Sequence, residues 1–301
     1  MSFAPLLQPT KESFFCIYGF TFVLRTNHSE SGDAIARLYR QFLSPRVADI
    51  GVEAIFRSES DGFRWQIAEK TASASDLRSA LWGFESALCE AIIRSQRRLI
   101  AIHAAVVYSR DSVVLLVGPS GAGKSTLSVA LTQRGFALAT DDVALIEPQT
   151  LHVHPIPRCV HLDQQSLQLL EAEGFQLPEV WKQAPFLAPI DLGSGPTYQC
   201  GAELLIYIAR PRAKCPNLKR VSQSEMAART LSETGRGPLT DSETVHVLAR
   251  VSSSAACFYL VPGSLSETAD MVSDLILQQP PTSTRTEHGR SRLTEFGRTS
   301  I

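Results

Sequence analysis

The rhythm of apolar and polar positions changes several times along the chain. Over residues 76–93, Leu77, Ala80, Leu81, Phe84, Leu88 and Ile92 recur at spacings of three and four, which lays one apolar stripe along a helix. Ser75 or Asp76 supplies the oxygen to cap its start. Upstream, CIYGFTFVL (16–24) is rich in β-branched and aromatic residues. GVEAIFRS and GFRWQIAE read as a hairpin turning over residues 58–62, with a short helix over residues 33–42 before it.

From Ile100 the pattern is dense and β-like. HAAVVYS and SVVLLVG flank a tight turn at Arg110 and Asp111, and the second strand runs straight into GPSGAGKST. A helix from Lys124 to Arg134 follows, ended by Gly135. FALAT, VALIE and LHVHPI read as further strands, the last two separated by residues 148–150. The chain turns helical after Asp163, and GAELLIYIA reads as a buried strand. A final helix starts at Ser264 with Leu265, Ala269, Val272 and Ile276 on one face. Past Pro280 the sequence has too few core formers to offset its ordering entropy and reads as a flexible tail. The expected division is a small α+β N-terminal lobe (1–74), a larger α/β domain (75–280) and the tail (281–301); no internal repeat is visible.

Composition narrows the function. The 301 residues are 44% hydrophobic and 20% charged, ordinary for a globular chain. A net charge of −1 argues against a dedicated nucleic-acid or membrane-surface binder, which needs a positive excess to pair with phosphates. The six cysteines show no C-x-x-C spacing and read as reduced thiols rather than metal ligands. The first residues lack a basic start followed by a long apolar core, and no apolar run approaches the roughly 20 residues of a membrane helix. The expected setting is the cytoplasm.

The chemistry concentrates in one stretch. Gly118, Gly123, Lys124 and Ser125 meet the pattern G-x-x-x-x-G-K-[ST] between a strand and a helix, the context that pattern requires. With glycine near 7% of residues, a chance match in a chain of this length has a probability of about one per cent. A loop that wraps a polyphosphate turns backbone N–H groups inward, and glycines allow it. The helix start adds donors and a favourable dipole. The expected nucleotide site is therefore Gly118, Pro119, Ser120, Gly121, Ala122, Gly123, Lys124, Ser125 and Thr126, with Lys124 on the β and γ phosphates and Ser125 on Mg²⁺. Asp141 and Asp142 end the strand after the loop helix, so one carboxylate can act as general base and the other can hold Mg²⁺. Such a pair also serves as a cap for the next segment, and His103, entering an apolar run, also serves packing.

The run HAAVVYSRDSVVLLVGPSGAGKSTLSVALTQRGFALATDDVALIE resembles the catalytic core of the HPr kinase/phosphorylase family and its HPr-kinase-related relatives. The likeness is close over residues 100–156 and looser to Leu277. It implies a carboxykinase-like P-loop fold with a mixed, largely antiparallel sheet, and transfer of phosphate from ATP to a serine hydroxyl. By resemblance, Asp141 is the general base, His103 its orienting partner, Asp142 a metal or phosphate-side carboxylate, and Arg158 a cation near the phosphates; a plain surface cation is the other reading of Arg158. Arg210 and Arg212 are weaker candidates. The family's glutamate-bearing E-I-R-G segment is replaced here by HVHPIPRCVHLD, which points to the related kinases rather than to the regulatory kinase itself. The expected acceptor is a peptide, protein or small-molecule hydroxyl, with the N-terminal lobe as a docking or dimerising element of a homo-oligomer. A nucleotide-dependent switch with slow hydrolysis is the alternative.

Overall fold

The computed structural model describes residues 11–45, 50–109, 112–160, 162–176, 188–192, 200–210, 213–235 and 239–279. The turn at Arg110 and Asp111, Arg212 and the tail 281–301 lie outside them.

Tyr18 and Gly19 both take positive φ, 49° and 84°. That is what a two-residue turn matched to strand twist requires. A run that reads as one β segment is therefore a hairpin of β1 (Lys11–Ile17) and β2 (Phe20–Thr26). α1 (Ser29–Leu38) and a single 3₁₀ turn (Arg40–Phe42) follow. β3 (Leu43–Ser44), β4 (Val52–Glu59), β5 (Gly62–Ile67) and β6 (Lys70–Ala74) complete a six-stranded sheet in the order β3-β1-β2-β4-β5-β6, parallel only between β2 and β4. α2 (Leu77–Ser95) is capped by Asp76, whose Oδ1 accepts from the Ser79 amide at 2.9 Å. Its stripe of Leu81, Phe84, Leu88 and Ile92 is buried in one cluster with Phe15, Phe22 and Phe56. By packing, α2 thus goes with the six-stranded sheet.

The second sheet holds β7 (Ile100–Tyr108), β8 (Val113–Val117), β9 (Ala137–Thr140), β10 (Val143–Ile146), β11 (His152–Pro155), β12 (Cys200–Gly201), β13 (Leu204–Ile208), β14 (Asn217–Arg220) and β15 (Ala256–Val261). Their order is β12-β11-β10-β7-β8-β13-β15-β14, with β9 also paired to β7. β8, β13 and β15 are mutually parallel and every other pair is antiparallel. The chain is accordingly mixed α/β with two mixed sheets.

Strand alternation divides this sheet's faces. Val114 and Leu116 of β8 pack with α3 (Lys124–Thr132), α4 (Gln164–Ala172) and α7 (Leu265–Leu277). Val113, Leu115 and Val117 pack with α5 (Gln223–Leu231) and α6 (Asp241–Ser254). At the other end, Val143 and Leu145 of β10 join the apolar cluster of the six-stranded sheet, so the two sheets share a core there. Among the described residues no helix is long and apolar enough to cross a membrane.

Candidate functional site

β8 is buried at all five positions and pairs in parallel with β13, Val117 opposite Tyr207. The chain must then leave the sheet past Ile208. Gly118 does so at φ +152°, where a Cβ would stand 2.5 Å from the Ile208 carbonyl oxygen, so only glycine fits. The Ala122 amide donates to Pro119 O at 3.1 Å, and Gly123, at φ +95°, turns the chain into α3. The first-turn amides of Lys124, Ser125 and Thr126 have no acceptor four residues back within the helix, and they stand at the positive end of its dipole. This is an anion cradle. Arg210 ties its rim, donating from Nε to Ser120 O at 3.1 Å.

Lys124 is 5% exposed. Its Nζ donates to Gly118 O at 2.5 Å, to Pro119 O at 3.2 Å and to His103 Nε2 at 2.9 Å. Burial pulls the ammonium down to about 8, against the opposing pull of Glu233, Asp142 and Asp141. Thr126 Oγ1 donates to Ser166 Oγ of α4 at 3.0 Å, so that hydroxyl serves packing and only its amide belongs to the cradle.

His103 reaches the loop by parity: Ala105 and Val107, two and four residues on, face α3. Its Nδ1 lies 2.7 Å from Asp142 Oδ1. Because an ammonium can only donate, Nε2 is the acceptor and Nδ1 carries the proton that Asp142 receives. A carboxylate, an imidazole and an ammonium thus form one chain ending in the loop. The other Asp142 oxygen accepts from Arg158 Nη1. Arg158 in turn grips Glu85 of α2 with two bonds, Nε to Oε1 at 2.9 Å and Nη2 to Oε2 at 2.8 Å, and reaches Ser86 Oγ at 3.2 Å. Burial would lift the Asp142 carboxyl, but the His103 hydrogen bond and the positive charges of Arg158 and Lys124 hold it below the usual carboxylate range. Burial also pushes the Glu85 carboxyl up, with Arg158 working against it.

Several expectations change. His103 orients Asp142, not Asp141, because the imidazole nitrogens are taken by Asp142 and Lys124. Both Asp142 oxygens have partners, His103 Nδ1 on one and the Arg158 guanidinium on the other, where the expectation placed a metal or a phosphate. Arg158 is placed between Glu85 and Asp142, neither a surface cation nor a group on the loop. Asp141 is 2% exposed, whereas the Asp142 side chain is 30% exposed. Arg210, a weaker candidate, touches the loop at Ser120 O.

Two acids at the site lie outside the set that the sequence pattern predicts. Glu85 had a visible signal, a carboxylate inside the apolar stripe between Leu81 and Leu88. Glu233 had none: it lies just past α5, where its backbone oxygen accepts from the His103 amide at 2.8 Å and its carboxylate accepts from Tyr207 Oη at 3.2 Å. Among the described residues no group of three or more His, Cys, Asp or Glu side chains is arranged to hold a metal. The chain matches no protein-family model and no curated protein.

Proposed function

We propose that this protein is a cytoplasmic ATP-dependent hydroxyl kinase of the HPr-kinase-related type, on a carboxykinase-like P-loop core. It transfers the γ-phosphoryl group to a serine of a peptide or protein, or to a small-molecule hydroxyl. The observation that carries this reading is the buried Lys124 ammonium, held by the start of a glycine loop and joined through His103 to the Asp142 carboxylate.

The loop amides and Lys124 bind and orient the phosphates and stabilise the charge that shifts during transfer, which is most of what this reaction needs from a protein. Mg²⁺, with Ser125 as its protein ligand, would supply further charge neutralisation. A triphosphate competes for the Lys124 ammonium and releases His103 Nε2 to accept a proton. As the acceptor oxygen bonds to the γ-phosphorus, its O–H bond breaks, the proton passes to Nε2 and the bond from γ-phosphorus to the ADP oxygen breaks. Asp142 holds the imidazole in the required tautomer and stabilises the imidazolium. The base role expected of Asp141 moves to the His103–Asp142 pair because an incoming hydroxyl meets the exposed pair, not the sealed acid.

The test is transfer of label from γ-³²P-ATP and Mg²⁺ into a serine-peptide library and a pool of small hydroxyl metabolites. Asp142→Asn is expected to lower transfer by roughly 10²- to 10⁴-fold, the span of general-base catalysis, and Asp141→Asn by far less. Full transfer by Asp142→Asn would sink the base assignment. Label found only in inorganic phosphate would turn the reading to a nucleotide switch.

A further inference from the structure

Glu85 is out of place on physical grounds. It is 4% exposed, in the middle of the stripe by which α2 packs on the six-stranded sheet. A carboxylate there is costly unless paired and fully hydrogen-bonded, and an apolar residue of similar volume would serve packing as well or better. Arg158 satisfies it with a two-pronged grip, the geometry that fixes a guanidinium most tightly. The same guanidinium places Nη1 on Asp142, the carboxylate that holds His103. The other titratable groups felt around this pair are Tyr39, Cys89 and Cys159, all pushed up by burial and so neutral at ordinary pH. The contacts run in one line from α2 to the loop: Glu85, Arg158, Asp142, His103, Lys124.

We infer that Glu85 and Arg158 are a positioning pair for phosphoryl transfer, setting the Asp142–His103 geometry from the helix that packs on the N-terminal sheet. The inference rests on the kinase reading of the loop. Neither residue touches the phosphates in this role; each acts through Asp142. Its consequence is that whatever binds or shifts the N-terminal sheet and α2 changes the rate of transfer rather than the affinity for nucleotide.

The test uses the full chain with Mg·ATP as the probe. Glu85→Gln is expected to leave the Mg·ATP dissociation constant within about twofold while lowering γ-phosphoryl transfer, to water or to acceptor, by roughly 10- to 100-fold, the usual cost of losing a partner behind a functional group. The ¹H–¹³C resonances of the His103 ring should move in the variant, while those of His28, on the N-terminal lobe, stay. Combining Glu85→Gln with Asp142→Asn should cost no more than Asp142→Asn alone, because both interrupt one line. Arg158→Lys, which keeps the charge but cannot grip Glu85 and Asp142 together, repeats the test should Glu85→Gln fail to fold. An unchanged transfer rate, or His103 resonances that do not respond to either variant, overturns the inference. If the wild type binds Mg·ATP without any transfer yet the His103 resonances respond, the pairing stands and the kinase reading falls.

Discussion

Binding of ATP to this chain should consume a proton at alkaline pH, and Lys124 is the reason. Burial brings its titration from the ordinary 10.5 to about 8, a cost of about 3 kcal/mol against the charged form. The sign follows from the charge. Below pH 8 the free loop holds an ammonium; above it, increasingly a neutral amine. Phosphate oxygens restore the ammonium, so a proton is taken up on binding wherever the free amine has lost it. With a midpoint near 8, uptake is about three quarters of a proton at pH 8.5 and about a tenth at pH 7. Above the midpoint the apparent affinity should fall by up to about tenfold per pH unit. Titration calorimetry of Mg·ATP in two buffers of different ionisation enthalpy reads the uptake as a difference in observed heat. Lys124→Met should bind weakly and with no buffer dependence. Tight binding at pH 8.5 with equal heats in both buffers would refute the reasoning, since the charge on Lys124 would then not be what the nucleotide meets.

Two further outcomes follow from the same contacts. Gly118→Ala forces a Cβ to 2.5 Å from Ile208 O at φ +152°, whereas Gly135 has a similarly left-handed φ of +86° but nothing within 4 Å. Urea unfolding should show Gly118→Ala losing roughly 2 kcal/mol or more beyond Gly135→Ala, and equal losses would deny the close passage of the loop over β13. Glu233 is the charge that most supports the Lys124 ammonium, so Glu233→Gln should lower the Lys124 midpoint further below its ordinary value. ATP binding by that variant should weaken at pH 8 and stay near wild type at pH 6.5, and equal weakening at both would assign Glu233 a packing role instead.

Periodicity was most informative where one physical rule governed the outcome. The α2 stripe with its cap at Asp76, the strand–loop–helix around Gly118 and the helix starts at Asp163 and Ser264 are legible because burial on one face and helix-end hydrogen bonding leave local marks. Periodicity assigns nothing to the segment holding β14, α5, α6 and β15, although α6 opens on a Thr240–Glu243 capping box and ACFYLV is rich in strand formers. Its place against the β7–β8–β13 face is set by contacts distant in sequence. Tyr18–Gly19 looked like mid-strand because the positive φ of a tyrosine is not written in its apolar character. The loop residues were legible as a site, but their electrostatic surroundings were not. Glu85 and Glu233 arrive from elements far along the chain, and Arg158 faces inward onto Glu85, Ser86 and Asp142, none of them its neighbour in sequence.

The exchange of roles between the two neighbouring aspartates shows how a local irregularity decides the chemistry. In a regular strand, paired residues share a face, and successive residues alternate. Val143 pairs with His103, so unbroken alternation would put Asp141 on the His103 face and Asp142 on the opposite one. The chain does not continue regularly: β9 ends at Thr140, β10 begins at Val143, and the pairing of β9 with β7 shifts register between Val106 and Val107. Thr140 Oγ1 accepts from the amides of both Asp142 and Val143 at 3.4 Å, bending the backbone between the two strands. The Ala104 amide still holds Asp142 O at 3.0 Å, so the backbone stays against β7 while the Asp142 side chain swings to the imidazole. Asp141, one residue earlier, is carried into the interior. The Thr140 hydroxyl sits at the break that decides which of two identical side chains meets the histidine, and Thr140→Val, read by the shift of the His103 ring resonances, tests its part in that choice.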